Sequence, residues 1–140
     1  MTAKEYLQRI RSERLEIVQL QESIEELAYS LLPSGIRYDA IKVQTSPDDA
    51  MSRVAAQIDE YERKIREHLA QLLDRQNTAY TYIAMLERSE HRQILTLYYL
   101  SGDRITWHQV AEKMALSEQR IYQLHNDAVM ELQKIWPEGV

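Results

Sequence analysis

The stretch "TWHQVAEKMALSEQRIYQL", Thr106–Leu124, decides the fold of the C-terminal part of the chain. Its pattern is that of two short helices joined by a tight turn, with the small Ala111 at their crossing and Ala115 in the turn, where glycine is commonest. Apolar residues occupy the positions that seal such a crossing, namely Val110, Met114, Leu116, Ile121 and Leu124. This spacing predicts a helix-turn-helix, in which the outer face of the last helix is free to enter a groove.

Capping signals mark where the helices of this motif begin. Thr106, followed three residues later by Gln109, makes a capping box for the first of the two helices, and Ser117 caps the second. Gly102 is placed to end a further helix upstream, within "SEHRQILTLYYLSG". Residues 89–140 are therefore predicted to form a three-helix unit.

The last helix of this unit has a polar outer face. Its periodicity turns inward Ile121, Leu124, Ala128, Leu132 and Ile135. Glutamine and asparagine can bond adenine through two hydrogen bonds, glutamate can accept one from cytosine, and tyrosine can meet a thymine methyl group or a phosphate. The candidates for reading bases are Ser117, Glu118, Gln119, Tyr122, Gln123 and Asn126. The alternative is a solvated helix face that binds nothing.

Phosphate anchoring would fall to cationic side chains near this face and to the free amides at the start of the second helix of the unit. The candidates are Arg92, Arg104, Thr106, His108, Lys113 and Arg120. Positive charge is scarce: the net charge is -5, with 12 basic and 15 acidic residues before position 89 and 5 against 7 after it. Because phosphate neutralisation supplies most non-specific affinity, this balance predicts modest DNA binding.

The N-terminal part carries apolar residues at a seven-residue period. One column holds Ala3, Ile10, Ile17, Ile24 and Leu31, and the column three residues on holds Tyr6, Leu20 and Leu27. Only Glu13 interrupts the second column. A stripe this narrow on an otherwise polar helix is typical of a coiled coil.

The same period resumes after a connection at about 33–48, which Pro33, Gly35 and Pro47 punctuate. The columns of this second helix are Met51, Ile58, Ile65, Leu72, Ala79 and Leu86, with Val54, Tyr61 and Tyr82 alongside. His68 and Arg75 interrupt the pattern and are assigned to the edge of the coiled coil. Residues 1–88 are therefore predicted to form an antiparallel helical hairpin, and a homodimer would cover any part of the stripe that the chain leaves open.

Composition bounds the class of protein. Only three glycines and three prolines among 140 residues leave little material for turns or strands, so we expect an all-α fold. The absence of cysteine excludes disulfides, thiol nucleophiles and cysteine-rich zinc sites. No apolar signal sequence opens the chain and no run approaches the roughly 20 apolar residues of a membrane span, so we expect a cytoplasmic protein that contacts no membrane.

Candidate groups for catalysis are few. His91, His108 and His125 lie on three different predicted helices, and only His108 and Glu112 are spaced one turn apart, as metal ligands can be. Surface histidines without a ligand are the commoner case, and no catalytic or phosphate-loop motif is present. We therefore expect no enzyme activity, no metal and no cofactor.

The segment "HRQILTLYYLSGDRITWHQVAEKMALSEQRIYQLHNDAVMELQKIW" resembles region 4 of bacterial sigma factors, the helix-turn-helix that reads the upstream promoter element and touches RNA polymerase. The residues that match the family's recognition-helix pattern are Ser117, Arg120, Ile121, Gln123, Leu124, Ala128 and Leu132. Sigma factors usually carry basic residues where this chain has Glu118, Tyr122 and Met130. The resemblance implies double-stranded DNA as a ligand and RNA polymerase as a candidate partner.

The whole chain also resembles small phage and prophage proteins in which a helical hairpin and a "KVQTSP"-like loop precede a sigma-like unit. Regulators of phage late genes of the ArpU and RinA type share this outline, which implies transcription regulation. Three hypotheses follow: a homodimeric DNA-binding regulator, an adaptor that binds RNA polymerase without reading DNA, and a packaging component similar to small terminase subunits. A ring-shaped oligomer would indicate the third.

Overall fold

A computed structural model of the protein describes residues 1–31, 47–102 and 104–140. Within those residues the chain forms five α-helices and no strand, which confirms the predicted all-α fold. They are α1 (Ala3–Ser30), α2 (Pro47–Ile83), α3 (Ser89–Leu95), α4 (Trp107–Met114) and α5 (Glu118–Ile135). A π-helical turn, Thr96–Leu100, continues α3. Apart from residues 47 and 48, the predicted connection at about 33–48 lies outside the described residues.

The described residues form two compact units. One, here called the closed unit, comprises residues 1–14 and 71–140; the other, here called the hairpin unit, comprises residues 15–70. The predicted division into domains 1–88 and 89–140 concerns independent folding and stays a prediction. The start of α1 and the end of α2 nevertheless belong to the same compact unit as the three C-terminal helices.

In the hairpin unit, the segments of α1 and α2 run antiparallel. His68 Nδ1 lies 3.7 Å from Glu16 Oε2, and further along, Leu27 and Tyr29 line a groove with Tyr61. The predicted apolar columns are only partly covered: among the residues described in this unit, Ile17 alone is buried. The half-buried members are Leu20, Ile24, Leu27, Val54, Ile58, Tyr61 and Ile65. The antiparallel course follows the predicted hairpin, while a coiled coil stays a prediction.

In the closed unit, α3 and α4 pack on α5, and the start of α1 and the end of α2 complete the core. The largest fully buried apolar side chains are Leu7, Ile10, Ile83, Ile94, Leu95, Val110, Ile121, Leu124 and Leu132. Burying one such side chain contributes about 2 kcal/mol, so this set dominates the stability of the unit. The Trp136 ring lies between two tyrosines, with centroids 5.0 Å from Tyr6 and 5.4 Å from Tyr82.

The charged residues that interrupt the two apolar columns pair with each other. Glu13 of α1 is buried and its Oε1 forms an ion pair with Arg75 of α2, while Arg9 Nε lies 3.7 Å from the same oxygen. A buried carboxylate is costly unless it is paired, so this contact favours one alignment of the two helices in the closed unit. Each of the two charged residues interrupts the apolar column of its own helix, and the ion pair between them accounts for both interruptions.

The sequence signals for the boundaries of α4 and α5 are confirmed, whereas the expected glycine cap at Gly102 is not formed: the π-helical turn ends at Leu100, Ser101 is extended, and Gly102 does not adopt a positive φ. Thr106 Oγ1 accepts from the Gln109 amide at 3.2 Å while Gln109 Oε1 accepts from the Thr106 amide at 2.9 Å, which completes the capping box. Ser117 Oγ accepts from the Arg120 amide at 3.1 Å. Ala115 ends α4 in the left-handed region, with φ 55° and ψ 43°.

One predicted inward position of α5 is wrong. Ile135 is 40% exposed, because α5 ends at this residue and the backbone becomes extended at Trp136. Trp136 takes the buried position, and the chain also buries His125, which the apolar pattern did not mark.

Candidate nucleic-acid interface

The crossing of α4 and α5 is sealed as the sequence predicts. Val110 and Ala111 of α4 and Ile121 and Leu124 of α5 are buried against each other's helices, and Met114 and Leu116 are half-buried at the edge. The Leu116 amide donates to the Ala111 carbonyl at 3.0 Å, which closes the turn. The crossing therefore holds α5 with one face inward and the opposite face free.

All the base-reading candidates lie on that free face or at its N-terminal end. The exposed residues are Ser117, Glu118, Gln119, Tyr122, Gln123 and Asn126, together with Asp127. Gln119, Gln123 and Asn126 are spaced by four and three positions, so their amide groups form a row along α5. Such a row can donate and accept hydrogen bonds at base edges.

An ion-pair bridge links the starts of α4 and α5. His108 Nδ1 lies 2.7 Å from Glu118 Oε1, and His108 Nε2 lies 2.9 Å from Glu112 Oε1. The hydrogen bond to Glu118 and the charges of both carboxylates raise the pKa of His108 above its ordinary value. Both ring nitrogens are thus engaged within the protein, which reduces the suitability of His108 as a phosphate contact.

The remaining phosphate candidates differ in how freely their side chains are presented. Arg104 and Lys113 are exposed and Arg120 is half-buried. Arg92 Nη1 instead donates to the Leu86 and Glu87 carbonyls and thereby fixes the segment between α2 and α3.

Thr106 would contribute to phosphate binding through its position at the start of α4 and not through its hydroxyl. The hydroxyl caps α4 by accepting from the Gln109 amide, and the Thr106 amide donates back to the Gln109 side chain. What the start of α4 offers to an anion is the partial positive charge of the helix N-terminus.

An aromatic stack behind the interface was missed by the sequence analysis. The Tyr98 and Trp107 rings are stacked, with centroids 3.7 Å apart and planes inclined by 6°. Trp107 in turn meets Tyr122 edge to face at 5.8 Å, and the Arg11 guanidinium lies 3.9 Å from the Tyr98 ring centroid. No local pattern could have pointed to Arg11, which is 87 positions from Tyr98.

His125 is a buried polar residue of α5 rather than the surface histidine that was expected. Its Nε2 lies 2.7 Å from the Tyr99 hydroxyl, and its ring meets Trp107 edge to face at 4.6 Å. Burial, helped by the charge of Lys4, lowers the pKa of His125 to about 4. The imidazole is therefore neutral at physiological pH and belongs to the core that supports the interface.

The histidines do not gather into a metal site. Within residues 1–31, 47–102 and 104–140, no group of three or more histidine or acidic side chains could hold a metal ion. His91 is buried on α3, whereas the two nitrogens of His108 point to different carboxylates.

Comparison with known protein families gives a match for the C-terminal helices. Residues 88–134 match the family model of sigma-70, region 4. No curated protein and no solved structure matches the chain. The matched segment runs from the residue before α3 to the last turn of α5, which is about a third of the 140 residues.

The match and the geometry define the class of this segment. It is a helix-turn-helix of the sigma region 4 type, and sigma region 4 domains bind DNA and RNA polymerase. The binding roles of individual side chains stay predictions. Among the described residues, no helix is long and apolar enough to cross a membrane.

Proposed function

We propose that the protein is a phage-type transcription regulator that reads double-stranded DNA with the free face of α5. The observation that carries this proposal is the amide row of Gln119, Gln123 and Asn126, which the sigma-like crossing holds outward. Tyr122, 46% exposed on the same face, adds a side chain that can meet a thymine methyl group. The proposed role is cytoplasmic and requires neither catalysis nor a cofactor.

Phosphate contacts in this proposal fall to Arg104, Lys113 and Arg120 and to the start of α4. Arg92 and His108 contribute less, because their side chains are engaged within the protein. Three cations neutralise few phosphates, so the affinity of one copy would be modest and only moderately salt-dependent.

A homodimer formed through the hairpin unit would raise this affinity. The apolar stripe of that unit stays half-exposed in the single chain, which supports a second copy as its cover. Two linked reading modules gain affinity through effective concentration without any new contact to DNA. The hairpin would then act as the dimerisation element.

A second candidate function is a protein adaptor that binds RNA polymerase without reading DNA. The observation that favours it is acidic charge on the free face of α5, where Glu118 and Asp127 are both exposed. Carboxylates repel phosphates but suit a basic protein surface.

Fluorescence anisotropy on tiled duplexes from the protein's genomic neighbourhood, in a salt series and with generic duplex as competitor, tests the first function. We expect one preferred tile, with binding that weakens as salt rises. Gln123→Ala should weaken binding to that tile by about 1 to 3 kcal/mol, the usual contribution of a good bidentate base contact. Gln71→Ala, an exposed glutamine of α2, is the matched control and should bind like the wild type.

The contrary results separate the alternatives. If no tile binds at low salt, direct reading is refuted, and purified RNA polymerase becomes the ligand for the same assay. Sedimentation equilibrium decides the oligomer: a dimer supports the regulator, whereas a larger ring would support a packaging component.

A further inference from the structure

The segment that leads into the helix-turn-helix is held by two arginines of α1. Arg11 Nη1 donates to the Tyr98 carbonyl at 2.8 Å and Arg11 Nη2 donates to the Ile105 carbonyl at 2.8 Å. Arg14 Nη2 donates to the Leu100 carbonyl at 2.8 Å. The π-helical turn and the residue before the capping box of α4 are therefore tied to α1.

Arg11 also ends the aromatic stack. Its guanidinium carbon lies 3.9 Å from the Tyr98 ring centroid, and the Trp107 ring stacks on Tyr98 at 3.7 Å. Two groups this close cannot share one face of a ring, so Tyr98 is sandwiched between a cation and an indole. A guanidinium over a tyrosine face is attracted by the negative face of the ring, and this attraction adds to the two hydrogen bonds of Arg11.

The stack leads from α1 to the free face of α5. Trp107 is the first residue of α4, and its ring meets Tyr122 edge to face. Tyr122 stands one position from Gln123 and three from Gln119, on the face that carries the amide row. The orientation of the Tyr122 ring therefore depends on Trp107, whose own position depends on Tyr98 and Arg11.

We propose that Arg11 is a positioning residue for DNA reading: through Tyr98 and Trp107 it sets the position of Tyr122 on the base-reading face. This inference rests on the proposed function. It makes α1 part of the reading module, although the family match begins only at residue 88. Base-specific contacts depend on sub-ångström placement of side chains, whereas phosphate attraction does not.

Lysine at position 11 is the sharpest test, because it keeps the charge and the aliphatic stem but lacks the planar fork that bonds two carbonyls at once. We compare Arg11→Lys with Arg9→Lys, which changes an exposed arginine two positions away whose Nε lies 3.7 Å from the Glu13 carboxylate. Each full-length variant is measured by anisotropy on the preferred tile and on generic duplex. The ring resonances of Tyr122 are followed by NMR in the absence of DNA.

The expected result is a loss specific to sequence reading. Arg11→Lys should bind the preferred tile at least tenfold more weakly and generic duplex within twofold of the wild type, with shifted Tyr122 ring resonances. Arg9→Lys should match the wild type in all three measurements. If Arg11→Lys does not fold, Trp107→Phe replaces it, because a smaller ring interrupts the same stack, and the same sequence-specific loss is expected.

Three outcomes would overturn the inference. Unchanged affinity for the preferred tile would show that Tyr122 needs no such support. Equal losses on both duplexes would indicate a general loss of folding, and unchanged Tyr122 resonances would break the link from Arg11 to the reading face. These are distinct from failure of the proposed function, which appears as a wild-type protein that binds no tile and which would refute this inference as well.

Discussion

The closed unit and the hairpin unit both contain parts of α1 and α2, but they bury the apolar side chains of these helices to different extents. In residues 1–14 and 71–140 the ends of α1 and α2 belong to the same compact unit as the three C-terminal helices, and side chains such as Leu7, Ile10 and Ile83 are fully buried. In residues 15–70 the same seven-residue period continues, yet only Ile17 is buried among the residues described there. A periodic stripe thus indicates which face is apolar, and the number of packed neighbours decides how much of it is buried.

The difference is consistent with the different roles proposed for the two regions. A closed core fixes the angle of α5 and so suits a reading surface, which has to be rigid. A half-open stripe can still gain stability from a second copy, which is what the proposed dimerisation element requires. The following predictions test this contrast, from the largest expected effect to the smallest.

Matched leucine truncations should separate the two units most strongly. Leu124→Ala empties a fully buried site at the α4–α5 crossing and should lower the free energy of unfolding by about 4 kcal/mol, whereas Leu20→Ala in the half-open stripe should lower it by about 1 kcal/mol. Urea denaturation measures both. A loss for Leu20→Ala that grows with protein concentration would support the proposed dimer through this stripe, whereas a loss as large as that of Leu124→Ala at every protein concentration would break the contrast.

Acid should destabilise the closed unit through His125. Burial lowers the pKa of this imidazole to about 4, against an ordinary value near 6.5 in the unfolded chain. The neutral, buried imidazole therefore contributes fully to the free energy of unfolding above pH 6.5. This stability is lost as the pH falls towards 4, in total about 3 kcal/mol. Chemical denaturation between pH 7 and 4, with NMR titration of His125, checks it; an imidazole that titrates near pH 6.5 in the folded protein would contradict the burial argument.

Glycine at position 115 should stabilise the turn of the closed unit. Ala115 adopts a left-handed conformation with φ 55°, which costs an L-residue with a Cβ atom about 1 kcal/mol relative to glycine. Ala115→Gly should therefore raise the thermal midpoint by several degrees. Ala56→Gly, at an exposed position inside α2, is the control and should lower it. A lower thermal midpoint for both variants would mean that Ala115 does not adopt the left-handed conformation in solution.

The smallest effect belongs to the bridge at His108, and its pH dependence is opposite to that of His125. The hydrogen bond to Glu118 and the charges of Glu112 and Glu118 raise the pKa of His108. The bridge therefore stabilises the folded protein fully at a pH below the ordinary pKa of histidine, and this stability is lost as the pH rises through the raised pKa of His108. The thermal midpoint of His108→Gln should fall furthest below that of the wild type near pH 6 and approach it near pH 9. A difference that grows with pH would contradict the bridge.

Much of the C-terminal fold was predictable because its signals are local. The capping box of Thr106 and Gln109, the Ser117 cap and the left-handed turn at Ala115 each depend on residues within a few positions. The inward and outward faces of α5 follow from the 3.6-residue period, except at Ile135, where the helix ends and the period stops applying. The outward set of base-reading candidates could therefore be identified from sequence.

The remaining features depend on contacts between distant segments. From the sequence, Arg11 is an ordinary solvated residue of a polar helix. In the structure it donates hydrogen bonds to the π-helical turn and to Ile105. His125 differs from a surface histidine because Tyr99 and Trp107 lie against it. Periodicity could not detect the role of either residue, since the groups that Arg11 and His125 contact are distant from them in the sequence.

The sequence by itself determined the helices, their caps, the sealed crossing and the polar face of α5, because these follow from interactions between residues within about two turns. Only the tertiary structure decided that Glu13 pairs with Arg75, that the start of α1 belongs with the C-terminal helices, and that Arg11 ends an aromatic stack reaching Tyr122. The physical reason is that the burial of a charge or the placement of a ring depends on which distant surfaces meet, and one-dimensional periodicity does not contain that information.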